Sequence, residues 1–211
     1  AGIIKPGASV VLSAQSAEAE NVIRRRCAEL GCSLRVTEPQ ALRLRACGLF
    51  GQTLDYRDRR ELRLRLSGSY QLKNAAAALD TVDVLRERGW AVPEEAVRAG
   101  LAETVWPARF EVLQTQPLVL VDGAHNPAGA AELSASLSAC LPGRKLTMVM
   151  GVMADKDHSD MIRTMAPHAA DFVTVTPESE RALPARELAE RIRSLTGLPV
   201  RCGGSVRDGL A

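Results

Sequence analysis

The apolar run from Ser9 to Ala14 has the length of a strand, and Ala17 to Leu30 carries helix-forming residues up to Gly31, a natural helix stop. Ser33 to Thr37 predicts a second strand. Between Leu42 and Leu66 the period falls to two. Leu42 and Leu44 alternate with Arg43 and Arg45, and Leu62, Leu64 and Leu66 alternate with Glu61, Arg63 and Arg65. That is the pattern of antiparallel strands with one wet face. Ser67-Gly68-Ser69 breaks it, and the Ala-rich segment that follows predicts a long helix to Arg88, ended by Gly89. Pro93-Glu94-Glu95 opens another helix, with proline at the first position and acids in the first turn.

After Trp106-Pro107-Ala108-Arg109-Phe110 the pattern changes to strands alternating with helices. Strands are predicted at Val119 to Asp122, Leu146 to Met150, Phe172 to Val175 and from Val200. Helices are predicted at Pro127 to Leu141, Asp157 to Ala166 and Ala185 to Leu195. Ala130, Leu133, Leu137 and Leu141 share one helical face, as do Leu188, Ile192 and Leu195. Such a βαβ series calls for a mostly parallel, Rossmann-like sheet covered on both faces. The class is α/β, with a boundary near Val105 that divides residues 1–105 from residues 106–211.

Bulk properties narrow the function classes. Lys and Arg number 27 against 25 Asp and Glu, giving +2, and the basic residues are spread along the chain, which predicts no nucleic-acid partner. Apolar runs such as Leu118-Val119-Leu120-Val121 are strand-sized and far below the roughly 20 residues of a spanning helix. A monomer in the cytoplasm is expected. Cys27, Cys32, Cys47, Cys140 and Cys202 form no Cys-x-x-Cys pair, and His125, His158 and His168 have no metal-ligand spacing, so no metal site is predicted from these residues. The first residues, Ala1-Gly2-Ile3-Ile4-Lys5-Pro6-Gly7, lack an initiator Met and any signal pattern, as expected of a piece of a longer protein.

Ligands of open parallel sheets bind beyond the carboxyl ends of the strands. Leu118-Val119-Leu120-Val121-Asp122-Gly123-Ala124-His125-Asn126-Pro127 falls at such an end. Asp122 leaves the strand there, Gly123 permits an unusual backbone angle, and Asn126 with Pro127 supplies a helix cap and first helical position. Two readings of this chemistry stay open. A carboxylate at that place can accept two ribose hydroxyls beside a helix N-terminus that favours phosphate. Equally, Asp122 and Asn126 can simply cap a turn, with His125 a solvated loop residue.

The run Asp-Gly-Ala-His-Asn-Pro after an apolar strand resembles the C-terminal-domain signature of the folylpolyglutamate synthase/dihydrofolate synthase family, within the Mur ligase superfamily. Further stretches match in order. Ala1-Gly2-Ile3-Ile4-Lys5 is similar to the continuation of the family's Glu-Lys-Ala-Gly-Ile motif, and Gln71-Leu72-Lys73-Asn74-Ala75-Ala76 to its Gln-x-x-Asn-Ala helix. Trp106-Pro107-Ala108-Arg109-Phe110-Glu111 is similar to its Trp-Pro-Gly-Arg-Phe-Glu turn, with Ala108 in place of the usual Gly, and Gly151 to Asp157 to the loop after the next strand. Tyr70 stands where the family often has His.

The resemblance implies residues 1–105 to be the remnant of the central P-loop ATPase domain and residues 106–211 a Rossmann-like ligase domain, cut short at its end. It implies an ATP-dependent ligase that phosphorylates a carboxylate of folate or dihydropteroate and lets the amine of L-glutamate attack the acyl phosphate. In that scheme Asn74 holds adenine, Arg109 touches the nucleotide phosphates and serves catalysis, and Asp122 holds the ribose, with His125 close by as a second residue for nucleotide binding and catalysis. Asp155, Lys156 and Asp157 face the incoming glutamate, or Asp157 caps a helix. No Gly-x-x-x-x-Gly-Lys-[Ser/Thr] occurs in the chain, so the phosphate loop and the Mg2+ ligands are expected upstream and this piece is expected to be inactive alone. Another Mur-type amino-acid ligase and a Rossmann-like binding module without catalysis are the alternative readings.

Overall fold

The computed structural model describes residues 2–210; Ala1, which opens the first matching stretch, and Ala211 lie outside the described residues. The chain divides into two compact units, one ending at Pro107 and the next beginning at Ala108.

In the first unit, strands β1 (Ser9–Leu12) and β2 (Ser33–Val36) pair in parallel through the crossover helix α1 (Ala17–Glu29). Helix α1 starts where the Ser16 hydroxyl accepts the Ala19 N–H, and the chain leaves it through Gly31 at a left-handed φ of 61°. Three antiparallel strands follow, β3 (Leu42–Gly48), β4 (Gly51–Tyr56) and β5 (Arg59–Leu64), with β4 in the middle. Leu54, Tyr56, Leu62 and Leu64 pack on Leu72, Ala75, Ala76 and Leu79 of α2 (Tyr70–Glu87) and on Val97 of α3 (Glu94–Glu103). The alternation around Leu62 and Leu64 thus marks the core face. At Leu44 the same rule gives way. The register shifts between Leu44 and Ala46 on this edge strand, and Leu44 is left 42% exposed.

Arg59, the first residue of β5, departs from the wet-face pattern of its neighbours and is only 8% exposed. Its guanidinium forks onto Asp83 of α2 at 3.0 and 2.6 Å, and its Nε reaches Glu94 of α3 at 3.2 Å. The fork joins one strand to two helices. Arg59 beside it holds the Asp83 carboxyl below the usual carboxylate range, against the opposing effect of burial. Since the folded-state value lies below the unfolded one, the stability Asp83 contributes is complete above about pH 3.9. That stability is lost as the pH falls through the lowered value. Asp83→Asn is therefore expected to cost about 1–3 kcal/mol at neutral pH and much less at pH 3. Urea titrations of both proteins at the two pH values check this; an equal loss at both would assign the effect to packing.

The second unit opens with an antiparallel hairpin, β6 (Glu111–Thr115) and β7 (Leu118–Val121), turned at the cis Gln116–Pro117 bond. Helix α4 (Pro127–Cys140) leads to β8 (Leu146–Met150), α5 (His158–Met165), β9 (Ala169–Thr176), α6 (Ala185–Thr196), β10 (Val200–Ser205) and α7 (Val206–Leu210). Strands β8, β9 and β10 form a parallel sheet with β9 central. The fold is mixed α/β with parallel sheets, and it departs from the predicted series at its first strand. β7 pairs with β6 rather than with the parallel sheet, and β6 escapes the pattern reading because Glu111, Gln114 and Thr115 break its apolar run.

Alternation along β9 sorts the covering helices. The Thr174 hydroxyl donates to the Ala185 carbonyl at the start of α6 at 2.8 Å, so the neighbouring Val173 and Val175 face the opposite side, toward α7. There a Cβ on Gly209 would stand 2.2 Å from Val175 Cγ1, and only glycine fits. Leu188 and Ile192 of α6 and Ala130 and Leu137 of α4 are buried, as their stripes predict. Among the described residues no helix is long and apolar enough to cross a membrane.

Candidate functional site

The turn Ala108-Arg109-Phe110 and the loop Asp122-Gly123-Ala124-His125-Asn126 meet at the open end of the β6–β7 hairpin. Both residues flanking Arg109 adopt left-handed backbone, Ala108 with φ 56° and Phe110 with φ 48°. Side chains of this kind rarely do so, and such a conformation persists where its surroundings over-determine it. Four features fix it here. The Glu111 carboxylate accepts the Ala108 N–H at 2.7 Å, and Asp122 Oδ2 accepts the Phe110 N–H at 2.8 Å. The Ala108 carbonyl accepts the Gly123 N–H at 2.9 Å, and the Phe110 ring is 1% exposed.

Asp122 Oδ1 accepts the Ala124 N–H at 2.8 Å, so one carboxylate bridges the two segments through backbone amides. The turn-capping reading of Asp122 is thus realised in the geometry. Asn126 caps α4, its Oδ1 accepting the Gly129 N–H at 2.8 Å, with Pro127 at the first helical position.

Arg109 is exposed and forms no ion pair among the described residues. Its guanidinium folds over Gly123, where a Cβ would stand 3.8 Å from Nη1 and 3.3 Å from the Ala108 carbonyl. Gly123 therefore makes room for the approach of the two segments. His125 is exposed, and its Nδ1 lies 2.9 Å from the Gly123 carbonyl. A carbonyl only accepts, so this contact assigns the proton to Nδ1 and turns Nε2 outward.

Asn74 belongs to the first unit, exposed on α2. Its Nδ2 donates to Oε1 of the buried Gln71 at 2.9 Å, which fixes the amide orientation and directs Oδ1 to solvent. The structure thus groups Arg109, Asp122 and His125 in one loop cluster and sets Asn74 on a helix of the other unit. Sequence reasoning missed the role of Glu111, although its spacing of three from Ala108 matches the reach of a capping-box glutamate.

At the carboxyl end of β8, residues 152–154 zip onto residues 181–183. Leu183 N–H meets the Val152 carbonyl at 2.9 Å and Ala154 N–H the Arg181 carbonyl at 2.8 Å. Across this zipper Arg181 and Lys156 share one oxygen of Asp155, at 2.6 and 3.4 Å. Arg181 holds that carboxyl below its ordinary range. Asp157 accepts the Asp160 N–H at 3.2 Å and caps α5. Among the described residues no cluster of three or more His, Cys, Asp or Glu could hold a metal ion.

Residues 108–210 match the family "Mur ligase, glutamate ligase domain". The chain is 34% identical to the folylpolyglutamate synthase of Lacticaseibacillus casei, over 87% of this chain and 44% of that protein. It is 29% identical to the dihydrofolate synthase/folylpolyglutamate synthase of Bacillus subtilis, over 82% of this chain and 42% of that one. In fold it is similar to the folylpolyglutamate synthase of Mycobacterium tuberculosis complexed with ADP, with a TM-score of 0.86, 28% identity and coverage of 96% of this chain and 46% of that one. The chain spans less than half the length of these relatives. It belongs to the folylpolyglutamate synthase/dihydrofolate synthase family of Mur ligases and corresponds to the C-terminal part of its members.

Proposed function

We propose that this chain is the C-terminal portion of an ATP-dependent carboxylate–amine ligase that adds L-glutamate to folate or to dihydropteroate. In this reading the first unit is the end of the central ATP-binding domain, the remnant of a P-loop fold, and the second is its Rossmann-like ligase domain. The phosphate loop and the Mg2+ ligands belong to the N-terminal half. The observation that carries the proposal is the clamped turn that presents Arg109, without an ion pair among the described residues, in one loop cluster with Asp122, His125 and the capped start of α4. Residue chemistry fits a nucleotide. Asn74 offers an amide to a base edge, Arg109 a fork of donors to phosphate oxygens, and Asp122 a carboxylate to ribose hydroxyls.

When bound, ATP supplies the phosphoryl group that activates the acceptor carboxylate for attack by the glutamate amine. Arg109 would stabilise charge on the phosphate oxygens, and its fixed turn means little reorganisation as that charge moves. His125, with Nδ1 bonded to the Gly123 carbonyl, keeps Nε2 for one further hydrogen bond. Lys156 and Arg181, which share one Asp155 oxygen at a strand end, are cations of the type that suits the carboxylates of glutamate.

The experiment is ADP release measured with folate, ATP and glutamate. The full-length protein is expected to turn over only when all three are present, and the 211-residue chain alone is expected to give no turnover. Turnover by the chain alone would overturn the division of labour; a full-length protein that ignores folate and dihydropteroate but uses another acceptor would point to a different Mur-type ligase.

A further inference from the structure

We infer that Glu111 is a positioning residue for Arg109, holding the backbone from which the guanidinium projects. The inference rests on the reading of Arg109 given above. Glu111 stands two residues from Arg109, yet its carboxylate makes no ion pair with that guanidinium; it turns back to the Ala108 N–H at 2.7 Å. Arg109 is thereby left without a carboxylate partner among the described residues, while the residue before it is held in left-handed backbone at φ 56°. On the other side Asp122 ties the Phe110 N–H, so the arginine stands between two carboxylate-tethered amides.

The two tethers are not equivalent. Asp122 also binds Ala124 and shapes the loop that carries His125, whereas the described contact of Glu111 with the turn is to Ala108 alone. Loss of Glu111 would therefore release Ala108 from a conformation an L-residue seldom adopts unaided, and the guanidinium would lose its fixed direction over Gly123. Small misplacements of a group that acts on a reacting centre cost rate more than binding. Glutamine can make the same back-bond, as it does in capping boxes, because the bond needs a side-chain oxygen at this reach and not a charge. Aspartate keeps the charge and is one methylene too short.

The test uses Glu111→Gln, Glu111→Asp and Glu111→Ala in the full-length protein, with two readouts. By amide hydrogen exchange, Ala108 is expected to lose protection about tenfold or more in the Asp and Ala variants and to keep it in the Gln variant. In steady-state kinetics the Asp and Ala variants are expected to lose about 10- to 100-fold in kcat, less than the loss of an entire transition-state donor, with KM for ATP changed little. In an Arg109→Ala background Glu111→Ala is expected to add no further loss. A normal Asp variant with an impaired Gln variant would make charge the operative feature and overturn the inference. So would unchanged exchange at Ala108, or an equal kcat loss in both backgrounds. If Arg109→Ala itself turned over normally, the reading of Arg109 would fall, while the exchange result would still decide the tether.

Discussion

Arg109→Ala is expected to lower kcat of the full-length protein about 100- to 1000-fold, the usual cost of removing one donor aimed at developing charge. The role proposed for Arg109 puts the effect on the rate rather than on binding. Arg109 stands between two left-handed residues, clamped by Glu111 and Asp122, exposed and without an ion-pair partner among the described residues. On the proposed reading, a cation that projects from a clamped turn keeps its backbone in place as charge moves along phosphate oxygens, and its contact strengthens as the barrier is reached. Arg109→Lys keeps the charge and loses the planar fork, so it should recover only part of the rate. Steady-state kinetics on both variants decide the matter. A raised KM for ATP with kcat intact would make Arg109 a uniform binder and sink the transition-state role.

How much of this site was legible in the sequence depends on what kind of interaction makes each part. Periodicity found the core faces at Leu62 and Leu64 and at Leu188 and Ile192, because burial of one face imposes a repeat of two or of 3.6. It could not find β6, whose half-polar residues pair with β7 at an edge where no repeat is enforced. Arg59 was hidden by its Arg-rich strand, since its partners Asp83 and Glu94 lie 24 and 35 residues away and no local pattern connects them. The left-handed residues were invisible for a different reason. Neither Ala108 nor Phe110 is of a type that favours that conformation; the hydrogen bonds of Glu111, Asp122 and Gly123 and the burial of the Phe110 ring explain it.

Asp122 shows how a correct location can leave the chemistry open. Its place after β7 followed from the apolar strand, but a strand-end carboxylate serves a ligand or a turn equally well on sequence grounds. The structure gives both oxygens to backbone N–H groups, so Asp122→Ala would reach the turn as well as any bound nucleotide. Substitution there also frees the Phe110 and Ala124 amides and loosens the base of Arg109.

Phe110→Ala is expected to destabilise the second unit by about 3–5 kcal/mol, the usual cost of deleting a buried aromatic ring. That is a large part of the roughly 5–15 kcal/mol that holds a domain folded. The ring is 1% exposed and follows directly on the exposed Arg109, so a single peptide step carries the chain from solvent into the core. Its left-handed φ of 48° costs about 1–2 kcal/mol for an L-residue, less than the burial returns, which is why the conformation persists. Phe110→Leu keeps most of the apolar volume and should cost less than about 1.5 kcal/mol. Phe110→Gly separates the two contributions. It relieves the backbone but leaves the same cavity, so it should stay close to the Ala variant and far from the wild type. Urea unfolding of the three variants, followed by hydrogen exchange at amides of the second unit, measures each difference. A wild-type midpoint for Phe110→Ala would show that the ring anchors nothing, and the clamp on Arg109 would then rest on the two carboxylates alone.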